Sequence, residues 1–240
     1  MTSPQLFLAV LFIIFISALF RSTFGFGNAL IAMPMLVLII GAKAAAPLVA
    51  LYGIVIAIVM LFRTWRALDI KDTFYLLLTS LAGIPLGLIF LTSAPENLIK
   101  VILGFILIGF GLYNLMGLKF PELRNRYLVI PFGIVAGMLG GAYNANGPPV
   151  VIYGVMRGWG REKFRATLQG YFLISNIAIV IGHGVSGLWS QQVLLYFITS
   201  IPVAVLAVLL GDKIVKIIPD TRFDRALNVF LVIAGLLMFL

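Results

Sequence analysis

Few side chains in this sequence could do chemistry, and they fall into three groups. Arg21 is a cation within an apolar stretch, followed by Ser22, Thr23 and then Asn28. Tyr143, Asn144 and Asn146 sit together in a second polar interruption. Gln169 and Asn176 lie seven residues apart, two helical turns, and so face one way on a single span. These groups share hydrogen-bond donation together with one positive charge. That suits the holding of a small anion. Each group also has a plainer reading. Arg21 at a helix end can snorkel to the membrane surface. Asn28, Asn144 and Asn146 can serve as backbone caps. Gln169 and Asn176 can hydrogen-bond a neighbouring helix, the usual duty of amides in membranes.

Catalytic chemistry finds little to work with. The chain has no cysteine, which excludes thiol chemistry and Cys-based metal sites. All eight carboxylates fall in loops or at span ends, so no buried acid offers a proton relay. His183 is the single histidine, at the edge of a loop expected over 183–192. Gly184-Val185-Ser186-Gly187 matches the G-x-S-G of intramembrane serine proteases, but that mechanism needs a histidine base on another helix within reach of the serine. His183 lies in the same loop, three residues before Ser186. Gly25-Phe26-Gly27 has neither a preceding strand nor a third glycine in register, so it is no dinucleotide fingerprint. The sequence therefore reads as a non-enzyme without cofactor or metal.

The elements that must position these residues are set by composition. Of 240 residues, 62% are hydrophobic and only 10% charged, whereas a soluble domain is about 25% charged. The chain cannot cover a water-facing surface and reads as a polytopic membrane protein, with the lipid bilayer as its surroundings. Its Lys and Arg come in short clusters, so the net charge of +9 is topological in meaning and points to no nucleic-acid partner. Six apolar runs suit full spans, expected over 44–62, 73–92, 101–118, 166–182, 193–211 and 226–240. Gly83 and Gly87, four apart, would let one of these approach a neighbour closely.

Two interruptions do not fit simple spans. Arg21–Asn28 carries Gly25 and Gly27 and is followed by Pro34. The second runs from Gly140 and Gly141 through Asn144 and Asn146 to Gly147, Pro148 and Pro149. Non-helical backbone at membrane depth is tolerated only where protein buries it or where it lines a cavity. A helix that restarts there exposes unpaired N–H groups and the positive end of its dipole. Two such ends meeting near the midplane form an anion site. Asn28 and Asn146 stand at those starts, in the position favoured for N-caps.

The landmarks recur in the same order in both halves: break, proline, a later span with a central proline (Pro85, Pro202), and a closing apolar helix. If each broken segment crossed the membrane once, the basic loops 63–72 and 157–165 would lie on opposite sides. If each is a hairpin, loops 63–72, 119–126, 157–165 and 212–225 share one side and hold 14 of the 17 basic residues. Basic residues gather in cytoplasmic loops, so the hairpin arrangement is expected, with both termini outside. The architecture is an all-α polytopic membrane protein of two inverted repeats. Each repeat is a broken, re-entrant helical hairpin plus three transmembrane helices. The whole chain, 1–240, is one transmembrane domain, with repeats over about 4–118 and 127–240.

With these breaks in hand, the chain resembles the sulfite exporter TauE/SafE family of membrane transporters. The likeness rests on Phe24-Gly25-Phe26-Gly27-Asn28 leading to Pro34, on Gly140-Gly141 leading to Pro148-Pro149, and on the duplicated layout. The chain departs from the family's Gly-Gly-Gly run, with Gly-Phe-Gly-Asn in one half and Tyr-Asn-Ala-Asn in the other. The resemblance implies a secondary transporter in a bacterial inner membrane moving sulfite or organosulfonates. The residues singled out above, Arg21, Ser22, Asn28, Tyr143, Asn144, Asn146, Gln169 and Asn176, are the expected substrate-binding set, and an anionic substrate agrees with them. An anion channel or a non-transporting scaffold is the alternative, although no polar stripe runs along several spans as a channel would need. A proton or sodium coupling ion and a homo-oligomeric state stay open.

Overall fold

The computed structural model describes residues 4–117, 126–214 and 220–239, and these form α-helices, short 3-10 turns and connections. The first half holds α1 (Pro4–Phe24), α2 (Asn28–Ile40), α3 (Ala42–Thr64), α4 (Ile70–Ser93) and α5 (Glu96–Leu115). The second holds α6 (Val129–Tyr143), α7 (Gly147–Met156), α8 (Arg161–Val185), α9 (Gln191–Ile214) and α10 (Asp220–Leu237). Six are long and apolar enough to cross a membrane: α1, α3, α4, α5, α8 and α9. Here α1 stands where the sequence suggested α10, whose apolar described stretch is only Asn228–Leu237. The basic loops expected over 119–126 and 212–225 lie largely outside the described residues.

Both interruptions are shorter than the sequence suggested. α1 stays helical through Arg21, because the Ser22 and Thr23 hydroxyls turn back onto the Leu19 carbonyl, each at 2.9 Å. The turn itself is Gly25-Phe26-Gly27, with Gly25 at φ 88° and Gly27 at φ 95°, a region open to glycine at little steric cost. Pro34 is inside α2, away from this turn. In the second half Gly140 and Gly141 belong to α6, and the break reduces to Asn144-Ala145-Asn146. Asn144 closes α6 in the left-handed conformation, φ 52°, with Ala145 N–H bonded to the Leu139 carbonyl at 3.1 Å. Asparagine tolerates that conformation better than most residues. Gly147, Pro148 and Pro149 form the first turn of α7, where a missing N–H leaves no helical bond unmade.

Helix pairing knits the halves together. α1 packs along α9 in the same direction: Phe7 stacks near Tyr196 at one end, and Ser22 meets Gly211 at the other. α6 lies along α4, also in the same direction, with Gly133 against Thr79 and Gly141 against Ile84. This second contact is backbone on backbone. A Cβ on Gly83 or Gly87 would overlap the carbonyl oxygens of Ile134 or Met138, and one on Gly137 would overlap that of Ser80. Gly83 and Gly87 thus do allow the close approach their spacing suggested, and α6 is the partner. α5 pairs with α10, and α3 with α8. Outward faces carry large apolar residues such as Phe12, Leu86, Ile89, Phe105, Ile177 and Ile198, the surface a lipid-facing bundle requires.

The described basic loops come together at one end. Lys163 pairs with Asp69, Asp69 N–H bonds to the Thr167 hydroxyl at 3.2 Å, and Arg165 donates to the Ser22 carbonyl at 2.9 Å. The opposite end holds Gly41 beside Glu96, and Lys43 donating to the Thr92 carbonyl at 3.0 Å.

Candidate functional site

Arg21 occupies the last turn of α1, where a cation complements the helix dipole. It is 1% exposed and, among the described residues, is the only buried member of the Lys, Arg, Asp and Glu set. Its Nη1 donates to Asn28 Oδ1 at 3.3 Å and to the Gly53 carbonyl at 3.2 Å. Its Nη2 donates to Gln169 Oε1 at 2.9 Å. The guanidinium also sits 4.8 Å from the centre of the Phe172 ring, a cation–π geometry. The Nε–H has no protein partner. No carboxylate is among the contacts of this cation, whose bonds all go to neutral oxygens. A charge so placed is expensive in a bilayer, which makes Arg21 a candidate functional residue.

α8 supplies one wall. Arg165, Gln169, Phe172 and Asn176 repeat at helical spacing along it. Gln169 bridges the first break to the cation, receiving from Arg21 through Oε1 and donating through Nε2 to the Gly25 carbonyl at 2.5 Å. Asn176 Nδ2 lies so near Gly53 that a Cβ there would be 2.8 Å away. The same hypothetical Cβ would be 3.5 Å from Asn144 Nδ2 and 3.6 Å from Arg21 Nη1. Gly53 is therefore the point around which the two breaks and α8 converge. It is the middle residue of α3 (Ala42–Thr64). Three further polar atoms in this cluster are buried without a hydrogen bond: Asn28 Nδ2, Asn144 Oδ1 and Asn176 Oδ1. Buried polar groups are seldom left so, and here they gather around one cation.

Not every expected residue joins the cluster. Asn146 turns its amide to the Ser175 hydroxyl at 3.0 Å, and it makes no capping bond with its side chain. Asn28 is the first residue of α2 rather than its cap, a place taken by Gly27, and it spends Oδ1 on Arg21. Asn146 thus stands at the N-cap position of α7 without a side-chain cap bond, whereas Asn28 lies one residue past the cap of α2. Ser22 bonds within α1 and packs on Gly211. Tyr143 reaches the other way, its hydroxyl donating to the Ile99 carbonyl of α5 at 3.0 Å. Gly140 touches Asn146 and Ile179 from within α6.

The structure also brings in residues that the sequence did not single out. Arg165, expected in a basic loop, is inside α8 because that helix already begins at Arg161, and it reaches Ser22. Its spacing of four from Gln169 was the available signal. Gly53 and Phe172 carried no signal, being ordinary residues of apolar spans. His183 is helical and fully buried, contrary to the loop expected there, with Nε2 3.1 Å from the Gly141 carbonyl. Ser186 is the C-cap of α8, and the described residues hold no cluster that could bind a metal.

Against known proteins, the model of one family, described as Sulfite exporter TauE/SafE, matches residues 9–238. No curated protein and no solved structure matches the chain.

Proposed function

The chain belongs to the sulfite exporter TauE/SafE family, a family of multi-pass membrane transporters of sulfur anions, and from that premise we propose that it is a secondary transporter of sulfite or a small organosulfonate, bound between its two helix breaks. The observation that carries this reading is the buried, acid-free guanidinium of Arg21 with its unspent Nε–H. A buried cation without a counter-charge is strongly disfavoured, and an oxyanion is the partner that would balance it. Arg21 binds the anion through charge-assisted hydrogen bonds. Asn28, Asn144 and Asn176 complete the shell with amide groups, and the α2 and α7 starts add dipole ends. Gln169 is a positioning residue that holds the guanidinium against Gly25. Asn146 supports the second break through Ser175, while Ser22 and Tyr143 fix helix ends.

The position of Gly53 halfway along α3 supports a site near mid-bilayer. The same-direction pairs α1 with α9 and α6 with α4 exchange when the halves are exchanged, which supports inverted repeats. Basic loops gathered at one end support a cytoplasmic placement of that end in a bacterial inner membrane, with both termini outside.

The test is binding and transport together. Purified protein should bind sulfite and, in proteoliposomes, move labelled sulfite or sulfonate down an imposed gradient. Proton and sodium gradients applied separately identify the coupling ion. Transport of chloride and sulfite at equal, non-saturating rates would instead indicate a channel.

A further inference from the structure

A second feature lies away from Arg21. A cavity of about 620 Å³ opens at the basic end of the molecule between α4, α6, α7 and α8. Its size falls within the roughly 300–1,000 Å³ typical of pockets for drug-sized ligands, far more room than a small oxyanion needs. Its lining changes character along the helix axes. Lys71, Arg157 and Lys163 stand at the basic end, against the single carboxylate of Asp69. Tyr75 and Tyr127 come next, 48% and 63% exposed. Leu78 and Ile130 follow, 56% and 45% exposed. The spanning part of α4 begins at Thr73. Along α4, Lys71 therefore sits before the span, Tyr75 at its boundary and Leu78 inside it, while Arg157 follows the end of α7 and Lys163 lies in the first turn of α8.

That order is the order of a phospholipid. Tyrosines mark the level of lipid headgroups, and basic pockets between membrane helices bind anionic headgroups. Leu78 is exposed within the membrane-crossing part of α4, and Ile130 is exposed beside it on the short apolar helix α6, so what meets them is hydrocarbon. A water-soluble anion has no use for such a wall. Among the described residues the opposite end carries only Lys43 and Lys100 beside Glu96, and the connection from Ser186 to Ser190 carries no charged residue. We infer that this groove is a binding site for an anionic phospholipid, with the phosphate held by Lys71, Arg157 and Lys163 and an acyl chain lying along Leu78 and Ile130. Lys163 is tied to Asp69, so lipid binding here also braces the junction of the α3–α4 connection with α8.

The experiment compares lipids on the purified full chain. Native mass spectrometry and thermal melting are measured with phosphatidylglycerol, with phosphatidylcholine, and with glycerol phosphate or inorganic phosphate. The expected result is retention of, and stabilisation by, phosphatidylglycerol alone. Surface cations contribute roughly fivefold each to anionic-lipid affinity, so the double variant Lys71→Glu, Arg157→Glu should weaken retention by about thirtyfold or more. Reversal at the far end, Lys43→Glu with Lys100→Glu, should leave it unchanged. Ile130→Trp, which obstructs the acyl trough without altering charge, should also displace the lipid. It covers the case in which the double variant folds poorly. Equal retention of both lipids, full retention by the double and Ile130 variants, or an equal effect of soluble phosphate would overturn the inference. Sulfite binding at Arg21 is read separately in each variant and is expected to stay at the parent value.

Discussion

At the scale of single residues, the proposed anion binding rests on one guanidinium. Charge-assisted hydrogen bonds contribute about 1.5–3 kcal/mol, so Arg21→Ala should weaken sulfite affinity by roughly ten- to hundredfold. Arg21→Lys should keep part of it, since the charge survives while the planar fork is lost. Isothermal titration, normalised to folded protein, checks both; parental affinity in Arg21→Ala would remove Arg21 from the site. Asn146→Ala should behave differently. Its amide holds Ser175, so the loss is one neutral hydrogen bond, about 0.5–1.5 kcal/mol, felt in melting temperature more than in affinity. The sequence made Arg21 legible because a charge in an apolar run stands out. It could not show Tyr143 turning to Ile99, because nothing in a local stretch says which of two neighbouring helices a side chain faces.

At the scale of elements, glycine decides which helices touch. Gly53→Ala puts a methyl within 2.8 Å of Asn176 Nδ2, so the amide must move although no polar group is removed. Sulfite affinity should fall by up to about tenfold with little change in expression, and an unchanged affinity would disconnect α3 from the site. Gly137→Ala drives a Cβ into the Ser80 carbonyl across the α4–α6 contact. Such overpacking should destabilise by about 1–3 kcal/mol or more. Gly109→Ala, with nothing within 4 Å, should be neutral or slightly stabilising; differential scanning fluorimetry of the pair separates a packing glycine from a spare one. Element existence was legible from apolar length. The extent of the breaks was not. Gly140 and Gly141 read as helix breakers because glycine weakens an isolated helix, but in a packed bundle close approach, of Gly141 to α4 and of Gly140 to Ile179 of α8, outweighs that tendency.

At the scale of the molecule, charge placement makes a topological prediction. Single cysteines in this cysteine-free chain at Ser93 and Ser186 should react with an impermeant maleimide on intact cells, and one at Ala67 should react only after lysis. The reverse pattern would invert the orientation. The order of prolines and breaks was legible, but the exchange of partners between halves, α1 with α9 and α6 with α4, was not, since pairing at such separation leaves no local mark. That exchange has a consequence for biogenesis. Arg21 leaves the ribosome long before Gln169, its partner 148 residues further on. At about 5–20 residues per second, that is an interval of roughly 7–30 seconds. Throughout it, α1 carries a guanidinium whose α8 partners, Gln169 and Phe172, do not yet exist. The nascent first half must be sheltered beside the insertion machinery or held with Arg21 near water, and α1 seats fully only when α8 and α9 arrive. Arrest of translation before residue 169 should leave α1 extractable from the membrane, while the completed chain resists extraction.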